Sequence, residues 1–195
     1  MCGGKSNLVN DIQILREMLV GRAQIRLQQR HNRLSVELTD LQAGTTVEIK
    51  GLPPDSIVIR AEDFKNPLTI FNGSKGERKR ADFVIVANDE SEKKWIICLE
   101  TKGGHKTRTE VVQQLKGAYC FVDYCRCIGK SFWEYEDFLD GYQYRFVSVV
   151  RLNDPSKRST ENFYYTEKLH DRPEVFLKIS RMLSIHFSKL IDPQS

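Results

Sequence analysis

The chain has 195 residues, 40% hydrophobic and 29% charged, enough apolar content for one sizeable core and too much for a disordered chain. Its longest stretch without Asp, Glu, Lys or Arg runs only from Asn66 to Ser74. A membrane span needs ~20 apolar residues, so no membrane partner is expected. The net charge of +4 is too mild to imply a nucleic-acid partner by itself, so the distribution of charge has to carry that argument.

In chain order, residues 7–31 are predicted as a helix. Asn10 is placed to cap it, with Gln13 three residues on. Leu8, Ile12, Leu15 and Leu19 share one arc at helical spacing. Past Gly21 that arc carries Arg22, Arg26 and Arg30, joined by Arg33. Either the helix breaks at the glycine, or its second half leaves the core as a basic stripe that is solvated or contacts phosphate. Strands follow where Leu34, Val36 and Leu38 alternate with polar residues, at Val47 and Ile49, and at Ile57-Val58-Ile59, with a turn at Gly51 to Asp55. A basic loop with Lys75, Arg78, Lys79 and Arg80 leads into two strands, Ala81–Ala87 and Trp95–Thr101, joined by the polar segment Asn88–Lys94. Residues 107–127 have one apolar helical face, and 142–151 read as a strand. Residues 162–167 and parts of 174–188 add strands or a short helix. The order is that of a single mixed α/β (α+β) domain spanning 1–195.

Five cysteines at spacings that suggest no pairing point to free thiols in a reducing cytoplasm. The aromatic run from Phe132 to Tyr144 suits a satellite core or an oligomer interface, or less readily a platform for bases.

The chemistry concentrates in Arg80-Ala81-Asp82 and in Leu99-Glu100-Thr101-Lys102-Gly103-Gly104. Side chains two apart on a strand share a face, so Glu100 and Lys102 do. A hairpin centred on Ser91 pairs Val86 with Ile96, Val84 with Cys98 and Asp82 with Glu100. Opposed carboxylates repel, and a bridging divalent cation offsets that. Hard oxygen ligands at a partly hydrated site suit Mg²⁺ or Mn²⁺. Basic residues flank both acids: Lys75, Arg78, Lys79 and Arg80 before them, His105, Lys106 and Arg108 after.

These residues resemble the core of the PD-(D/E)XK nuclease superfamily. The resemblance covers about residues 80–151, and the N-terminal helix loosely. It implies a restriction-endonuclease-like mixed sheet flanked by helices, with a hairpin carrying the motif. It also implies Mg²⁺-dependent hydrolysis of phosphodiester bonds, in DNA rather than RNA. Asp82 and Glu100 then hold the metal together with the carbonyl of Thr101, and Lys102 supports the attacking water. Ala81 stands where the family motif has proline. Glu17 is the candidate for an additional acid from the first helix. Arg22, Arg26 and Arg30 join the flanking basic residues as candidate phosphate contacts. A homodimer or a larger complex is compatible with the length. The alternative is a non-catalytic nucleic-acid-binding module or scaffold subunit on the same fold.

Overall fold

The computed structural model describes residues 10–30, 32–40, 44–64, 70–103, 106–151, 162–164, 169–180 and 184–193. Its elements run α1 (Asp11–Met18), β1 (Gln24–Ile25), β2 (Gln28–Arg30), β3 (Arg33–Asp40), β4 (Thr45–Leu52), β5 (Asp55–Arg60), β6 (Phe83–Asn88), β7 (Lys94–Gly103), α2 (Arg108–Phe132), β8 (Gln143–Arg151), β9 (Asn162–Tyr164), β10 (Leu177–Ser180), β11 (Ser184–His186) and α3 (Phe187–Ile191). Single 3₁₀ turns lie at Gly21–Ala23, Ala61–Asp63 and Pro173–Val175.

The strands form two mixed sheets, ordered β1-β5-β6-β7-β8-β10-β9 and β11-β4-β3-β2. This is an α+β architecture in three layers. In the large sheet β5, β6 and β7 are antiparallel neighbours, while β8 lies parallel to β7 and β10 parallel to β8. The parallel step from β7 to β8 needs a crossover, which α2 supplies.

The central strands are apolar on both faces because both faces are covered. Val84, Val86, Ile96 and Cys98 pack with Ile12, Leu15, Leu115 and Val122 of the helices. Their neighbours Phe83, Ile85, Ile97 and Leu99 pack on the other face with Val36, Leu38, Val47 and Ile49 of the small sheet. Period-two alternation thus separates two apolar cores, and it places even-numbered residues of β6 and β7 under α2.

The hairpin has the register expected from its sequence, with Val86 opposite Ile96 and Val84 opposite Cys98. Three expectations need correction. The N-terminal helix stops at Met18, and Asn10 caps it by accepting the Gln13 amide at 2.8 Å. The chain then turns and enters short strands, with Ile25 and Leu27 packed against the inner core, the one between the two sheets. Arg22, Arg26 and Arg30 are exposed, but they form no helical stripe. The second helix runs on to Phe132, past the expected end at residue 127. Thr107 and Glu110 close its start as a reciprocal capping box. Four cysteines, 98, 120, 125 and 127, are free thiols. In the aromatic run, Phe138 and Tyr142 are core residues, whereas Phe132 is largely exposed. Among the described residues no helix is long and apolar enough to cross a membrane.

Candidate functional site

Asp82 sits immediately before β6, and Glu100 lies within β7 on the face covered by α2. The ladder runs to Phe83 opposite Leu99 and stops there. Beyond it, Asp82 is held by Thr101, whose backbone amide and hydroxyl both donate to Oδ2, at 2.7 and 2.8 Å. The Asp82 carbonyl accepts the amides of Ala61 and Glu62, which anchors the 3₁₀ turn after β5 beside the acids.

Glu100 is fully buried. Its Oε1 accepts from Lys106 Nζ at 2.5 Å, while its buried Oε2 has no hydrogen-bond partner among the described residues. Lys106 also donates to Gln114 Oε1, in the second turn of α2. Burial pushes the Glu100 carboxyl up to about 8, and the nearby Asp82 charge adds to this against the opposing pull of Lys106. Burial also raises Asp82, to about 6, although the Thr101 hydrogen bonds favour its ionised form. Asp40, at the end of β3, raises both acids, and Glu62 raises Asp82. Four carboxylates therefore share one electrostatic neighbourhood.

A cleft of about 420 Å³ adjoins this neighbourhood. It is lined by Glu62, Phe64, Arg78, Lys79, Arg80 and Gln114, among others. Gln114 connects cleft to site through Lys106. The basic segment is fixed over α2 by short local bonds. Lys79 Nζ donates to Gln113 Oε1 at 2.8 Å, and the Gln113 amide donates to the Lys75 carbonyl. The Glu77 carboxylate accepts the amides of Gly73 and Lys75. Arg80 lays its guanidinium over the Phe64 ring, 4.7 Å from its centre.

The predicted residues divide accordingly. Asp82, Glu100 and Thr101 come together, and Arg78, Lys79 and Arg80 line the neighbouring cleft. Lys75 lies in the same loop, exposed. The backbone of Lys102 belongs to β7 opposite Val150; its side chain lies outside the described residues, as does His105. Lys106, expected to contact substrate, is instead bound to Glu100 and Gln114. Arg108 is engaged elsewhere, donating to the Glu174 carbonyl and lying over Phe176. Glu17 is bound to Gln13 and to Trp133 Nε1, at the far end of α2 from Thr107 and Lys106, so it is no partner of these acids. Arg30 pairs with Glu37 and Glu48 on the small sheet.

Sequence reasoning missed Asp40 and Glu62. Asp40 comes from another sheet, and no local pattern announces it. Only the packing of α2 over β7 brings Gln114 to Lys106.

The donor set suits a hard divalent cation. A fully buried Glu100 carboxyl, raised by burial and by the nearby Asp82 charge, beside a half-buried Asp82, is stabilised by a positive charge between the two. Among the described residues no three His, Cys, Asp or Glu side chains converge on one point. Mg²⁺ is commonly held by only one or two carboxylates with several waters, the number of carboxylates this pair offers.

No family model, no curated protein and no solved structure matches the chain.

Proposed function

We propose that the chain is a divalent-metal-dependent phosphodiesterase acting on nucleic acid, DNA in preference to RNA, on a restriction-endonuclease-like core of the PD-(D/E)XK kind. The observation that carries this reading is the pairing of half-buried Asp82 with fully buried Glu100, whose Oε2 has no hydrogen-bond partner among the described residues, next to a cleft lined by Arg78, Lys79 and Arg80. The order α1, antiparallel β5-β6-β7, α2 and parallel β8 supports the fold assignment, since it is the order that the motif's resemblance implies.

In this reading Asp82, Glu100 and the Thr101 carbonyl hold Mg²⁺ or Mn²⁺. When bound, the cation activates water and neutralises charge developing on the phosphate. Thr101 fixes the Asp82 carboxylate so that its other oxygen stays oriented. Arg78, Lys79 and Arg80 hold the phosphate backbone without reading sequence. Lys102, two residues beyond Glu100, supports the attacking water.

One contact favours the non-catalytic alternative. Lys106 already supplies Glu100 with a positive charge, which makes the buried acid tolerable without a cation. A single experiment separates the two readings. The purified protein is incubated with linear, circular, branched and single-stranded DNA and with RNA, each with Mg²⁺, Mn²⁺ or EDTA. Cleavage in the presence of metal that EDTA abolishes is the expected result. Retained binding with no cleavage of any substrate in either metal overturns the enzymatic reading and leaves the binding module.

A further inference from the structure

The basic cleft has an apolar neighbour. A second cavity, of about 230 Å³, is lined by Met18, Arg22, Asp63, Phe64 and Phe121, among others. Phe64 lines both cavities, so one aromatic ring is their shared wall. Phe64 also packs its ring at 5.3 Å from Phe121 and 5.4 Å from Tyr124, and it carries Arg80 at 4.7 Å. Arg80 belongs to the cleft, so the same ring that positions a phosphate-binding cation also walls the apolar cavity.

We infer that the second cavity receives one unpaired nucleobase of a strand whose backbone lies in the basic cleft. The inference rests on the nucleic-acid reading above and names its substrate class: strands with an extruded or single-stranded nucleotide beside the bound phosphates. Three observations carry it. The cavity is smaller than the ~300 Å³ at which sites for drug-sized ligands begin, a scale that matches a single planar ring. Its mostly apolar walls include Met18, Phe64 and Phe121, and aromatic walls stack on any base. Its charged side chains are Arg22, Arg60 and Asp63; Arg60 is already engaged by Glu62 and the Thr39 carbonyl, which leaves Arg22, a donor, and Asp63, an acceptor, as the complementary pair for a base edge. Continuity through Phe64 and Arg80 puts phosphate and base sites one residue apart, as they are within one nucleotide. The exposed Arg22 thereby regains a role in substrate contact that its lost helical stripe no longer provides.

The test is equilibrium binding in EDTA, where no strand is cut. Two labelled duplexes are compared, one with a single bulged thymidine and one with an abasic residue at the same bulge. Base stacking of this kind changes affinity by about 5- to 150-fold, so the wild-type protein is expected to prefer the base-bearing bulge within that range. Ala23→Leu, which fills the cavity, and Asp63→Ala, an exposed position that leaves packing intact, are expected to shrink the preference while the abasic duplex binds as before. Equal wild-type binding of the two duplexes, with DNA bound in both, overturns this inference alone. Failure to bind either duplex overturns the nucleic-acid reading and the inference with it. Full preference retained by Asp63→Ala and by a folded Ala23→Leu also overturns it. Thymidine monophosphate binding as tightly as the bulged duplex reassigns the cavity to free nucleotides and overturns the strand-bound base.

Discussion

Thr101 gives both its backbone amide and its hydroxyl to a single oxygen of Asp82, Oδ2, at 2.7 and 2.8 Å. The residue between the acid and the lysine of the Glu-x-Lys triplet is thus the one that fixes the other acid. Two donors on one oxygen hold the carboxylate plane, and they favour its ionised form against burial. Thr101→Val keeps the shape and the amide but removes the hydroxyl. It is expected to raise the Asp82 pKa above its value of about 6 and to shift the pH profile of metal-dependent cleavage upward. A profile unchanged in position shows that the hydroxyl does not tune the acid.

Neutralising either acid separates chemistry from binding. Asp82→Asn and Glu100→Gln are expected to lower Mg²⁺-dependent cleavage by at least ~100-fold, the usual scale for losing one group that stabilises charge in the transition state. DNA affinity in EDTA is expected to stay near wild type, since Arg78, Lys79 and Arg80 line the adjoining cleft and neither acid does. Near-normal turnover in either variant shows that the hydrolytic centre is elsewhere.

The metal-free protein is expected to lose stability as pH rises. The Glu100 carboxyl is raised from an unfolded value near 4.5 to about 8. In that window the folded state keeps its proton and the unfolded state has released it. The unfolded state therefore binds fewer protons, and stability falls with rising pH. Asp82 adds the same sign between its ordinary value of 3.8 and about 6. A cation that binds only the folded state reverses the loss by mass action. Thermal unfolding in EDTA and in Mg²⁺ across this range checks both signs: a Tm flat or rising with pH in EDTA contradicts the assigned burial.

Lys106 and Glu100 are expected to be strongly non-additive. Lys106→Met leaves the buried Glu100 without its ion pair at 2.5 Å. The loss of stability is expected to be larger at the alkaline end of that range than at the acid end, where Glu100 is protonated in any case. Adding Glu100→Gln removes the unpaired charge and is expected to restore much of the loss, because residues in one ion pair do not contribute independently. Simple addition of the two single effects identifies the pair as a bystander.

How much of this is legible in the sequence follows from the range of each interaction. The hairpin register is readable because Val84, Val86, Ile96 and Cys98 alternate symmetrically about a short polar turn. The pairing of β11 with β4 is not, since Ile185 meets Ile49 across most of the chain. The arginines at 22, 26 and 30 mimic a helical period, and so the sequence overextends the N-terminal helix. The apolar residues Ile25 and Leu27 in the same stretch alternate with period two, and the inner core selects that period. The second helix is underextended for the opposite reason. Gly129 disfavours a helix interior, yet the ring of Phe138 packs directly on it and fills the space a side chain would need. Asp82 and Glu100 are legible as local pattern; Asp40 and Glu62 reach them only through the tertiary fold.

The salt dependence of DNA binding tests the corrected placement of the basic residues. Arg78→Gln with Arg80→Gln is expected to flatten the slope of log K against log salt by about 0.9 for each duplex phosphate that is no longer neutralised. Arg26→Gln with Arg30→Gln is expected to leave the slope unchanged, because Arg30 is paired with Glu37 at 3.0 Å on the small sheet. That pair is exposed, so its removal costs at most ~1 kcal/mol. A flatter slope in the second variant restores those arginines to the substrate surface.

Gly117 decides whether the basic segment can sit where it does. A side chain there would collide with the Lys79 carbonyl oxygen and press on the Arg80 Cα, both backbone atoms that cannot rotate away. The close approach of segment 78–80 to α2 thus depends on a glycine in the middle of a helix, at a cost of ~1 kcal/mol in helix propensity relative to alanine. Gly117→Ala regains that propensity but must push the segment outward, and overpacking of this kind costs typically ~1–3 kcal/mol. The expected outcome is a net loss of stability together with weaker DNA binding, because Arg78, Lys79 and Arg80 move with their backbone. Gly129→Ala is the matched control on the same helix. It meets the Phe138 ring instead, far from the cleft, and is expected to destabilise the fold without changing DNA affinity once folded. Equal effects of the two variants on binding, after correction for the folded fraction, show that the position of the 78–80 backbone does not govern the interaction.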